Sequence, residues 1–203
     1  MDLFLNLLLA LAAGWMIKSR VQQQRIALLA RYLSRFSIEK HIEAVMQGYQ
    51  RALGEDEPGR REQIWQLLQG QEQALCRQAL QLANDFGAAD AAATRVSKLP
   101  FWLPFASRLP ASFDMREALR VHARGICRAV EGQPGASARD RAYAISAELL
   151  LLQHTCHWFC RSRWIASARM LSRHRTSYEQ ALASVLPQTR TEYLQLVALG
   201  GRG

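Results

Sequence analysis

The chain holds 203 residues, 49% of them hydrophobic, with 26 Lys and Arg against 17 Asp and Glu for a formal charge of +9. That much apolar side chain excludes a disordered chain, and four Cys in this length exclude a disulfide-stapled miniprotein. A single long uncharged run excludes a many-span transporter. The length suits one domain or two small ones. All but Lys18, Lys40 and Lys98 of the basic residues are Arg, whose forked guanidinium suits phosphate and carboxylate partners. The spacing of Cys76, Cys127, Cys156 and Cys160 does not suggest a disulfide framework, so a reducing compartment fits them.

Residues 3–17 (LFLNLLLALAAGWMI) carry no charge. As a helix they cover about 22 Å at about 1.5 Å per residue, short of the hydrocarbon core of about 30 Å. Snorkelling of Lys18 and Arg20 narrows that gap. Trp15 falls near the end of the run, where an indole suits the headgroups. Only Asp2 is charged before it, whereas Lys18, Arg20, Arg25, Arg31 and Arg35 follow with no acid until Glu39. A secretory signal would place its basic residues ahead of the apolar run. Residues 1–20 are therefore expected to be a single transmembrane anchor of a bacterial-type inner membrane, with the C-terminal domain in the cytoplasm. A core or oligomerising helix and a cleaved signal are the competing readings.

Residues 21–53 read as membrane-proximal amphipathic helices. Ile26, Leu29, Leu33 and Phe36 recur at three and four, Ser37 resets the phase as an N-cap, and Ile38, Ile42, Val45, Tyr49 and Leu53 continue. Gly54 to Arg61 (GEDEPGRR) reads as a loop. A Gln-rich helix follows from about Arg61 to Phe86, stopped by Gly87, and Ala88 to Lys98 suggests another short helix. Asp114 is a good N-cap for a helix to about Val130, and Gly132 to Ser137 is a turn. Ala138 to Leu186 holds no Gly or Pro, predicting one very long helix or two stacked ones. Pro187 ends it, and Thr189 to Leu199 forms a last short helix. No run alternates for long enough to name a strand. The expected fold is all-α, an N-terminal membrane-anchoring helix followed by an antiparallel bundle over residues 61–199.

Three features stand out. The first is the loop at 99–110 (LPFWLPFASRLP), with three prolines and the aromatics Phe101, Trp102 and Phe105. Such a loop either caps the bundle core or sits at the lipid interface, with Lys98 and Arg108 on phosphates. The second is His154, Cys156, His157 and Cys160, a metal-ligand inventory whose spacing closes no tetrahedron on one helix. His154, His157 and Cys160 are the candidate ligands, with core packing as the plainer alternative. The third is the acid-free stretch 161–175, in which Arg161, Arg169, Arg173 and Arg175 share a broad helical face. That face suits anionic lipid, nucleic acid, an acidic partner or plain solvent.

No phosphate-binding glycine loop, H-E-x-x-H, G-x-S-x-G or di-iron E-x-x-H pair occurs. No cofactor is implied, and a membrane anchor disfavours nucleic acid. The expectation is a non-enzymatic, membrane-anchored helical scaffold docking a membrane complex or anionic lipid. A metal- or thiol-dependent enzyme or sensor using the His/Cys cluster is the alternative.

Overall fold

The computed structural model describes residues 2–103, 106, 109 and 111–198. In chain order the described residues form α1 (Asp2–Leu33), α2 (Ile38–Leu53), α3 (Pro58–Phe86), β1 (Arg95–Ser97), β2 (Ser112–Asp114), α4 (Met115–Glu131), α5 (Ala138–Cys160), α6 (Arg163–His174), α7 (Tyr178–Ser184) and α8 (Pro187–Val197).

α1 runs unbroken for 32 residues. Its first half stands clear of the rest of the chain, with Phe4 and Trp15 more than two-thirds exposed. The helix is long and apolar enough to cross a membrane, and none of its apolar window is buried inside the protein. From Gln22 onward it docks, burying Gln22 and Leu29 against α3 and α5. The same helix therefore has an exposed apolar half and a docked half.

α2 and α3 form an antiparallel hairpin. Ser37 donates its backbone N–H to Gln78 Oε1 at 2.9 Å near one end, and Tyr49 meets Trp65 near the other, ring centroids 5.9 Å apart. Ser37 does sit at the N-cap, but its hydroxyl caps nothing. The expected 54–61 loop is shorter than its sequence suggested: Pro58 opens α3 at N1, where its missing N–H costs nothing. Glu57 caps that helix by accepting from Gly59 and Arg60. Gly48 lets the two helices touch, since a Cβ there would lie 2.2 Å from Leu68 Cδ2. Glu72, almost fully buried, accepts from the Tyr49 hydroxyl at 2.7 Å and faces Arg141 Nε of α5 at 3.4 Å.

α3 and α4 are also antiparallel, and here one expectation is corrected. Cys76 and Cys127 form a disulfide, with Cα atoms 4.9 Å apart. The 51-residue separation hides the pairing from any reading of spacing; only the packing of two antiparallel helices brings the sulfurs together.

The all-α expectation holds for the bulk of the chain but not throughout. Residues 88–98 are not a helix. They turn and enter β1, which pairs antiparallel with β2 in the register Val96↔Phe113. Three-residue strands are too short to show alternation. Val96 and Phe113 point inward, and Phe113 meets the Trp158 ring edge-on at 4.9 Å. The Trp158 indole donates to the Ser97 carbonyl at 3.0 Å.

α5 is the central post, packing against α1, α2, α4, α6 and α7. A capping box between Ser137 and Asp140 starts it. It buries Ile145, Leu149, Leu151, Trp158 and Phe159. The stretch 138–186 is neither one helix nor two. Ser162 N-caps α6 through the Ile165 amide, and a capping box at Ser177 and Gln180 starts α7. Side-chain caps, rather than Gly or Pro, break the chain here. Pro187 starts α8 at its first turn instead of ending a helix.

Candidate functional site

A groove of about 880 Å³ opens between α1, α2, α5 and α6. Its floor is apolar, including Leu29, Ile38, Leu82, Leu152 and Met170. On α2 the i, i+4, i+8 series Ile38, Ile42 and Met46 faces in, and Glu39 and Glu43 one position on form an acidic wall. On the opposite side Arg161, Arg169 and Arg173 form a basic wall. The expected continuous Arg face is broken by the Ser162 cap. Arg161 ends α5, while Arg169 and Arg173 project from α6. The groove gathers these three, whereas Arg175 sits outside its lining in a left-handed turn at φ 52°.

His154, Cys156, His157 and Cys160 all border this groove, but differently. His154 is buried, its Nε2 3.0 Å from the Ser167 hydroxyl and its ring 4.6 Å from that of Tyr178. Burial and the Arg163 and His157 charges push it down to about 3. Burial, then Arg169, Arg173 and His174, lower His157. Burial raises the Cys156 thiol to about 12 and Cys160 to about 11, which leaves little thiolate at neutral pH. Among the described residues no three His, Cys, Asp or Glu are grouped to hold a metal ion. His154 and Cys160 are six residues apart, about 9 Å along the helix axis. Two ligands at about 2.0–2.3 Å from one zinc reach only about 4 Å between them.

A smaller recess of about 180 Å³ lies at the foot of the apolar run, lined by Ile17, Val21 and Arg25 of α1 together with Phe101, Trp102, Leu103 and Arg161 among others. Trp102 is half-buried, and Phe101 is 62% exposed. Lys98 is committed elsewhere, donating to the Ala198 carbonyl at 2.7 Å. Phe105 and Arg108 lie outside the described residues.

A third polar cluster is enclosed. His122 Nε2 lies 2.9 Å from the Thr155 hydroxyl, which shares a 3.0 Å hydrogen bond with the Tyr193 hydroxyl. His122, Thr155 and Tyr193 are all buried and line neither cavity, so they lock α4, α5 and α8 together. Burial and the charge of His154 push His122 down to about 3. Glu148, buried beside them, accepts from the Leu186 amide at 3.1 Å. Burial raises its carboxyl to about 7 against the opposing pull of Thr189, the Leu186 amide and Arg128. Gly125 makes room for it: a Cβ there would come within 2.5 Å of Glu148 Oε2.

Sequence reasoning missed the α2 wall, because Ile42 fits a core stripe as well as a groove. It also passed over Trp164 as a site residue. The usable signal there was a bulky indole amid Arg residues on a short helix, and it is 62% exposed. No family model, curated protein or solved structure matches this chain.

Proposed function

We propose that the protein is a non-enzymatic, membrane-anchored docking module whose groove receives an amphipathic helix from a protein of a membrane complex. One observation carries this reading: an apolar trough with an acidic wall on α2 and a basic wall on α6, beside a helix whose leading half is uncharged and exposed. An amphipathic helix lays its apolar stripe in such a floor. Walls of opposite sign select one orientation, with the acidic flank of the occupant toward Arg169 and Arg173. A photo-crosslinking residue in place of Ile42 is expected to give one discrete protein adduct in cells. Arg169→Glu with Arg173→Glu is expected to abolish it. Absence of an adduct, or an adduct indifferent to charge reversal, would overturn the reading.

The Arg and Lys residues that follow the apolar run place the bundle on the cytoplasmic side in this proposal. Cytoplasmic thiol systems keep cysteine pairs reduced except in transient oxidation. The Cys76–Cys127 bond is therefore expected to be open in growing cells. Acid quenching followed by alkylation in denaturant is expected to label all four cysteines. Selective protection of Cys76 and Cys127 would put the bundle on the oxidising side and reject this topology.

A further inference from the structure

We infer that the bundle makes a second membrane contact at the foot of α1, where Phe101, Leu103 and Trp164 enter the interfacial layer and the adjoining recess takes the headgroup of an anionic phospholipid. This rests on the reading of α1 as an anchor. Ile17, the last residue of the uncharged run, and Val21 line the same recess as Phe101, Trp102 and Leu103. Ile17 and Val21 are four residues apart, about 6 Å along the axis. The headgroup layer on each side of a bilayer is of the same order, since about 30 Å of hydrocarbon lies within about 40–45 Å of total thickness. Whatever packs beside Ile17 and Val21 therefore lies at headgroup depth once α1 spans.

The exposed side chains match that depth. Phe101 is 62% exposed, Leu103 53% and Trp164 62%. The Trp164 amide donates to the Pro100 carbonyl at 3.1 Å, so the loop and the start of α6 present one apolar edge. An apolar cluster facing water is costly, whereas indole and phenyl groups favour the interface. The charge is complementary as well. Arg25 and Arg161 line the recess and, among the described residues, no acid does, with Lys18 and Arg20 between Ile17 and Val21 on the same helix. Basic groups at a membrane surface draw anionic lipid toward it.

The bundle cannot easily swing away from that position. Arg25 donates to the Phe159 carbonyl at 3.1 Å and to the Arg95 carbonyl at 2.8 Å. Arg161 donates to Gln22 Oε1 at 2.6 Å. These bonds tie α1 to the end of α5 and to β1 just below the apolar run. The groove is thereby held at a set distance from the bilayer, where a juxtamembrane helix of a partner can reach it.

The test uses the full chain in phosphatidylcholine vesicles with and without phosphatidylglycerol. p-Benzoylphenylalanine replaces Leu8, Leu67, Phe101 or Trp164, one at a time, and lipid adducts are weighed after photolysis. All four sites are exposed, so the fold tolerates the probe. Leu67 lies nineteen residues before Phe86 on α3, roughly 28 Å along that helix, and Phe86 meets Tyr32 far down α1. Adducts are expected at Leu8, Phe101 and Trp164, several-fold above Leu67, with the Phe101 and Trp164 yields rising when phosphatidylglycerol is present. Adducts at Leu8 alone would overturn the second contact and leave the anchor standing. No adduct at Leu8 would remove the anchor itself. Yields at Phe101 and Trp164 indifferent to phosphatidylglycerol would reject recognition of an anionic headgroup.

Discussion

Replacing Glu72 with Ala is expected to lower the unfolding free energy by about 3 kcal/mol. Glu72 is 2% exposed and serves two partners on two other helices, the Tyr49 hydroxyl on α2 and the Arg141 guanidinium on α5. Burial raises the Tyr49 phenol well above its ordinary range, and the neighbouring carboxylate adds to the rise. That phenol stays a donor at any usable pH and needs an acceptor. Removing the carboxylate strands both groups, and a buried ion pair broken on one side costs about 3–5 kcal/mol. The 21% exposure of the Arg141 side chain sets the lower end of that range, since water reaches the stranded charge. In a chain of this size the midpoint is expected to fall by about 6–12 °C. Glu72→Gln, which leaves an acceptor for Tyr49, is expected to lose less. Thermal unfolding of the two variants in the same detergent checks this, and a loss below about 1 kcal/mol for Ala would reject it. Because α2 is also the acidic wall of the groove, the Ala variant is expected to weaken partner cross-linking as well.

Stability is expected to peak near pH 7 and to fall by roughly 3 kcal/mol by pH 4. His122 and His154 are each held down at about 3 from an ordinary 6.5. Between those values the unfolded chain binds two more protons than the folded one, so stability is lost as pH falls through 6.5. Glu148 has the opposite sign. Its carboxyl is raised from 4.5 to about 7, so the folded state holds the extra proton, and its contribution is present below 4.5 and lost as pH rises through 7. Two imidazoles outweigh one carboxyl on the acid side. Near pH 7 the two slopes cancel, and neither group titrates in either state much above pH 8. His122→Asn with His154→Asn is expected to flatten or invert the acid limb, and Glu148→Gln to steepen it. A midpoint independent of pH from 4 to 7 in the parent chain would contradict both assignments.

The helices legible in the sequence were those bounded by their own chemistry. Asp114 accepts from the Arg116 amide to start α4, Gly87 closes α3, and the capping box at Ser137 and Asp140 starts α5. The breaks at Ser162 and Ser177 are local too, a lone Ser cap and a Ser177–Gln180 capping box, but the absence of Gly and Pro over 138–186 concealed them. The rest of what stayed hidden was set by packing. β1 exists because Val96 and the Ser97 carbonyl meet Phe113 and Trp158 from distant parts of the chain. The Cys76–Cys127 bond has the same origin. For the site, periodicity exposed the Arg residues of the basic wall but not the acids facing them, because Glu39 and Glu43 read equally well as solvent-facing residues. The His/Cys cluster drew attention by composition. Its i, i+3 and i, i+4 pairs are spaced as helical ligands can be, but among the described residues no third His, Cys, Asp or Glu joins any of them to hold a metal ion.

α1 has one more consequence. No joint interrupts the helix between Ile17 and Leu33. A span shorter than the hydrocarbon core is met by local thinning of the bilayer and snorkelling, not by tilting, so in the anchored arrangement proposed above this rod would stand close to the bilayer normal. Leu29 and Leu33 of its lower arm line the groove. Twelve and sixteen residues beyond Ile17, they would hold the trough about 18–24 Å beneath the end of the apolar run, a spacing written into the helix itself.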